Sequence, residues 1–308
     1  MSLWHPEKTI DYKQIADVLI FGKTPTSSGM FLNILLPLQS LPGTTRSYGS
    51  MVLWRNRFLF ILRGHNSTEL WCYDIEKNVF RTLALAPTAI YYGSLVGVHA
   101  DRYLYTCRGY DGAAVAATTT FYRYDIWTNT WATVAAIPDA VDYTGGAAVY
   151  DGSRYIYLLR GGGTSDFYRY DCTTNTWATM ASLPVTVSYP SNLVKAGNYL
   201  YVLVGNATAY FYRYDIANNT WTAMADAPSA TRAGALAWDG GDYIYALRGY
   251  ALKDFFRYRI STNTWETLLP APAATEWGGL CYYNSPALGD IIFVKRGNVT
   301  VDWWIYKV

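Results

Sequence analysis

The 308 residues carry 25 basic and 23 acidic side chains, a net charge of +2 without the basic stripe that nucleic-acid binding needs. Aromatics make up 17% of the chain, with 29 Tyr and 12 Trp, which excludes a disordered or simple helical protein and suits pleated sheets. Four well-separated cysteines (Cys72, Cys107, Cys172, Cys281) give no support to a disulfide framework or zinc knuckle, and no run of eighteen apolar residues is present to insert into a membrane.

The chain opens on residues 1–28, where no basic segment leads into an apolar core. A secretory leader is therefore not expected, and synthesis in the cytoplasm is. Tyr12, Ile15, Ala16, Leu19 and Ile20 keep helical spacing up to Gly22, predicting a short helical or extended arm. Trp4, Tyr12, Ile15, Leu19 and Phe21 give that arm apolar surface for docking, on its own chain or on a neighbouring copy.

Beyond the arm one phrase recurs. Tyr124-Asp125 to Asn129-Thr130-Trp131 returns as Tyr170-Asp171 to Asn175-Thr176-Trp177 and as Tyr214-Asp215 to Asn219-Thr220-Trp221. Weaker copies are Tyr73-Asp74 to Asn78-Val79-Phe80 and Tyr258-Arg259 to Asn263-Thr264-Trp265. The aromatic anchors at 80, 131, 177, 221 and 265 are 51, 46, 44 and 44 residues apart. Each is followed seven residues later by a proline: Pro87, Pro138, Pro184, Pro228 and Pro272.

Arg-Gly, or Val204-Gly205 in one unit, precedes four of the anchors by 17 residues; Arg108-Gly109 stands 23 before Trp131, marking a six-residue insertion over Asp111 to Thr119. Each unit reads as four short strands; in the third they cover Gly145 to Tyr150, Tyr155 to Arg160, Phe167 to Asp171 and Asn175 to Met180. Such a sheet cannot bury both faces alone, so units at this spacing predict propeller blades.

The pattern resembles the Kelch repeat over roughly residues 33 to 308, through the tyrosine before the turn, the Asn-x-Trp phrase and the glycine closing strand two. It departs from the usual Gly-Gly by placing arginine first in five blades. The resemblance implies an all-β, six-bladed propeller. After Arg296-Gly297 the chain ends before a fourth strand can form. Asn33-Ile34-Leu35 followed by Pro42 reproduces the missing phrase, with Leu35 in the Trp place. Residues 29–44 should thus supply the fourth strand of the last blade, pair with Val301 to Val308 and close the ring, in a propeller covering 29–308.

Turns after strands two and four should open on one face, where three features converge. The first is the set Arg63, Arg108, Arg160, Arg248 and Arg296, whose forks suit a carboxylate or repeat one structural bond. The second is an aromatic rim of Tyr48, Tyr92, Tyr143, Tyr189 and Trp277, broken at Ala233 beside Arg232. The third is the insertion. These residues form the candidate ligand site, for protein partners or a glycan. Arg123, Arg169, Arg213 and Arg257, two residues before Asp or Arg, read as structural pairs on strand three.

No catalytic constellation, metal-ligand spacing or phosphate loop stands out; His5, His65 and His99 lack ligand spacing, and no cofactor is expected. The sequence favours a non-enzymatic binding or structural module, one of many copies in an assembly such as a phage tail, baseplate or decoration protein. The alternatives are a sugar-active enzyme resembling the sialate mutarotase type of six-bladed Kelch protein, and a cell-surface glycan-binding protein.

Overall fold

The computed structural model describes residues 30–32, 39–45, 51–64, 66–91, 95–111, 116–141, 146–188, 192–232, 234–286, 288–297 and 299–308. The expected N-terminal arm, Asn33 to Leu35, and Tyr48, Tyr92, Tyr143, Tyr189 and Ala233 lie outside them.

Among the described residues the chain is all-β. A short strand β1 (Met30–Leu32) comes first. Blade one is β2 (Met51–Trp54), β3 (Phe58–Leu62), β4 (Leu70–Asp74) and β5 (Val79–Thr82). Blade two is β6 (Leu95–His99), β7 (Tyr103–Cys107), β10 (Phe121–Asp125) and β11 (Thr130–Thr133), and its insertion folds into a small hairpin, β8 (Tyr110–Asp111) with β9 (Ala116–Ala117). Blade three is β12 (Ala147–Tyr150), β13 (Tyr155–Leu159), β14 (Phe167–Asp171) and β15 (Thr176–Thr179). Blade four is β16 (Asn192–Ala196), β17 (Tyr199–Leu203), β18 (Phe211–Asp215) and β19 (Thr220–Ala223). Blade five is β20 (Ala235–Trp238), β21 (Tyr243–Leu247), β22 (Phe255–Arg259) and β23 (Thr264–Thr267). Blade six is β24 (Gly279–Ser285), β25 (Gly289–Lys295) and β26 (Trp303–Lys307), completed by β1.

The first strands touch in sequence, β2 with β6, then β12, β16, β20, β24 and back to β2, so the ring is closed. Burial follows position in the blade. Second strands are buried on both faces and so read as continuous apolar runs such as Leu158-Leu159, whereas fourth strands face water and read as Thr-Trp-Ala-Thr. One apolar layer fills each joint; that between blades three and four joins Tyr157, Leu159 and Phe167 to Leu200, Val202 and Tyr214.

β1 pairs antiparallel with β26, which is the closure that the sequence predicts. Its register differs. Leu35 was the residue expected in the Trp place, but Phe31 lies opposite Tyr306, where Trp177 lies opposite Tyr170 in blade three. The offset from 35 to 31 is even, so it preserves the alternation of the strand's two faces. The closure continues in Leu41 N–H to Val301 O and Thr45 N–H to Thr300 O, both 3.3 Å.

Every residue of the repeated phrase has a bond to make. Asp171 caps its turn by accepting from Thr173 and Thr174 N–H. Asn175 has φ 59°, a left-handed conformation that Asn tolerates. Its Oδ1 accepts from the Tyr170 hydroxyl at 2.7 Å and from Ala135 N–H of the preceding blade at 2.8 Å. Trp177 Nε1 then donates to the carbonyl of that same Ala135 at 3.0 Å. Asn129 and Trp131 hold Ala84 likewise, Asn219 and Trp221 hold Ala181, and Asn263 and Trp265 hold Ala225.

At the closing joint Phe80 has no indole to donate. Trp303 of blade six takes over the carbonyl, that of Gln39, while Asn78 accepts from Gln39 N–H. Replacing Asn175 by Ala leaves two donors without their acceptor; a loss of about 1–3 kcal/mol is expected in urea unfolding, against a smaller loss for Asn175→Asp, which keeps an acceptor there.

Candidate functional site

The two sets of turns do share a face. Single bridges tie the loop after each second strand to the connection that leaves the same blade: Ser67 with Ile90, Thr118 with Val141, Thr164 with Val187, Thr208 with Thr231 and Leu252 with Thr275, with Thr45 and Thr300 at the closure. This face carries the rim on which the candidate residues fall.

The arginines occupy one repeated place. Nε of Arg63, Arg108, Arg160, Arg248 and Arg296 donates to the carbonyl of Thr44, Ala89, Ala140, Ala230 and Ala274, in the connection arriving from the preceding blade. Nη1 of four of them meets an acid six residues on: Glu69 at 2.8 Å, Asp166 at 2.8 Å, Asp254 at 2.6 Å and Asp302 at 2.5 Å. In blade two the insertion lengthens the loop, and Thr120 stands where the acid would be, its carbonyl receiving Arg108 N–H. These guanidinium groups are half-buried and hold successive blades together at the rim. Asp166 beside Arg160 holds its guanidinium still more firmly charged than usual.

Blade four breaks this pattern twice. Val204 replaces the arginine and Tyr210 the acid, with Val204 N–H still bonded to Tyr210 O as in the other blades. The loss of one partner goes with the loss of the other. Val204 is visible in the sequence as the gap among the arginines; Tyr210 becomes visible only once the six-residue spacing is known.

Of the aromatic rim, Trp277 is described. It is half-buried at φ 51°, a left-handed backbone that strains a bulky residue. It shares a partly buried apolar cluster with Tyr91 and Tyr110, two rim residues that sequence reasoning did not single out. Tyr91 and Tyr110 are 6.2 Å apart, ring to ring. Arg232 sits 5.1 Å above the ring of Tyr250, which is 48% exposed at the tip of the blade-five loop. At a partly exposed place a cation–π contact of this kind contributes about 0.5–1 kcal/mol.

The strand-three arginines are structural in a different way from the one expected. Arg123, Arg169, Arg213 and Arg257 stack over Tyr103, Tyr155, Tyr199 and Tyr243 at 4.4, 4.4, 4.4 and 4.5 Å. Asp125 and Asp171 instead pair with Arg102 and Arg154, and blade five reverses the charges as Arg259 with Asp242. Among the described residues no three His, Cys, Asp or Glu side chains are placed to hold a metal ion. Two clefts of about 420 and 450 Å³ flank the ion pair of Arg257 and Glu266 on the outer side of blade five.

Comparison with known proteins agrees with this architecture. The Kelch motif family model matches residues 95–136, which span most of blade two. Kelch-like protein 35 of Mus musculus is 31% identical over 128 residues, 41% of this chain and 21% of that protein. Kelch-like protein 35 of Homo sapiens is 31% identical over 106 residues, 34% of this chain and 17% of that protein. The match spans about a fifth of the length of these relatives. The repeated Tyr-Asn-Trp joint, the closed ring of six blades and these similarities make the chain a Kelch-repeat β-propeller.

Proposed function

We propose that this propeller is a non-enzymatic scaffold that binds a protein partner through the rim formed by the loops after strands two and four. The observation that carries the reading is the contrast between a repeated frame and unrepeated tips. The arginine bonds and bridges recur from blade to blade, while the residues after the loop glycine are Tyr110, Gly162, Asn206 and Tyr250. Tyr250 and Tyr210 are 48% and 44% exposed there, and rigid aromatic side chains with polar tips are the usual anchors of protein interfaces. Kelch propellers generally mediate protein–protein contacts. In this reading the arginine set holds the rim in shape, and Arg232, Tyr250 and Trp277 meet the partner. The low charge and abundant Tyr, Trp, Thr and Ala also suit a subunit present in many copies, such as a phage tail or decoration protein.

A photo-crosslinking residue placed at Tyr250, in cells that express the protein, tests this. A discrete cross-linked partner is expected from Tyr250 and none from the outer-edge position Thr176. Equal cross-linking from both positions, or none from either, overturns the rim assignment.

A further inference from the structure

We infer that the rim notch between blades three and four binds an arginine side chain of a partner protein, which there takes the place that the chain's own arginine fills in the other five blades. The inference rests on the rim reading and adds the chemistry of the contact.

At five joints a guanidinium bridges a main-chain carbonyl of the arriving connection. At the blade-four joint the corresponding carbonyl belongs to Thr186, two residues after Pro184, as Ala140 is two after Pro138. Among the described residues no donor reaches it. Thr186 is exposed, whereas Thr44, the threonine at the equivalent place, is half-buried under Arg63. The bare carbonyl and the missing guanidinium are one vacancy seen from two sides.

The walls suit a guanidinium. Tyr210 replaces the acid and is 44% exposed. Tyr212 stands beside it, as Tyr168 stands beside Asp166 in blade three. Burial, then the charges of Tyr210 and Asp226, push the Tyr212 hydroxyl above its ordinary range. Val204, 1% exposed, and Val185 belong to the apolar layer between these two blades. A planar guanidinium can donate in its plane to Thr186 O while a tyrosine ring covers its face, and this chain stacks arginine on tyrosine at 4.4 Å elsewhere. An ammonium group has no such plane, so lysine fits less well. Asp226 supplies a nearby negative charge that favours a cation over an acidic side chain.

Saturation-transfer NMR on the full chain, with blocked Gly-Arg-Gly, Gly-Lys-Gly and Gly-citrulline-Gly peptides as probes, tests the site. The arginine peptide should give at least a threefold stronger transfer than the other two. The double variant Val204→Arg/Tyr210→Asp rebuilds the chain's own clamp and should lower that signal at least fivefold, with a melting temperature equal to or above the parent's. Tyr210→Ser alone, which leaves the interior untouched, should lower it two- to threefold. Equal transfer from the arginine and lysine peptides, or a signal unchanged in both variants, overturns the inference. Cross-linking at Tyr250 does not depend on this notch, so its success beside a failed peptide experiment rejects the guanidinium contact alone.

Discussion

Removal of residues 1–45 is expected to leave no stable folded monomer. The truncation takes away β1, which covers the outer edge of β26, and with it the segment Gln39 to Thr45 that bonds to Val301, Thr300 and Trp303. It also strips the buried Leu41 from the apolar layer between blades six and one, where it packs with Tyr73, Phe293 and Trp303. A point mutation costs about 0.5–3 kcal/mol. Opening the ring removes a whole strand and a latch, a loss comparable with the roughly 5–15 kcal/mol that a domain has in total. Size exclusion and thermal unfolding check it: aggregates or a fall in melting temperature beyond 15 °C are expected. A monomer that melts at the parent temperature would show that the closure is dispensable.

The second large effect is pH-dependent and centres on Lys295. This side chain is fully buried at the end of β25, with Gly279 and Trp303 as its strand partners. Leu62, Cys107, Leu159, Leu203 and Leu247 occupy the equivalent place in the other blades. Burial pulls its amine down from the usual 10.5 to about 7. The folded state therefore binds this proton less readily than the unfolded chain does. Stability should rise with pH between about 7 and 10.5, and the penalty should be complete and constant below 7. Lys295→Leu removes the penalty. Urea titrations should show it more stable than the parent by about 2–4 kcal/mol at pH 6, with the difference shrinking toward zero near pH 10. A constant difference across that range would mean that Lys295 is not buried as a neutral amine.

Much of the fold was legible because the phrase Tyr-Asp to Asn-x-Trp is short and does several jobs at once. Asp171, Asn175 and Trp177 cap a turn, bend the chain and hold the previous blade, so each leaves its own mark at a fixed spacing. The closure strand was legible as to partner but not as to register. Met30 to Leu36 is apolar apart from Asn33, and an even slip costs little when two aromatic or aliphatic side chains can fill the same place.

The arginines were legible as a set, and their acids could have been found by the spacing from Arg160 to Asp166. Their other partners could not, since a carbonyl such as that of Ala140 carries no signature in the side chain that follows it. Lys295 was missed for a similar reason. Next to Arg296 it reads as an ordinary surface cation, and only the packing of blade six into the ring buries it.

At four joints among the described residues the Asn and Trp grip the N–H and C=O of a single residue in the neighbouring blade, whatever that residue's side chain. Ala84, Ala135, Ala181 and Ala225 fill this role, and Gln39 does so at the closure. Recognition between blades thus has a common currency, the peptide group, that every amino acid carries. A blade can in consequence be copied, transplanted or moved to another position in the chain without a matching change in its new neighbour's outer strand. The same property lets the gene be cut at a different joint, with the present ends spliced together, and still encode a ring that fastens.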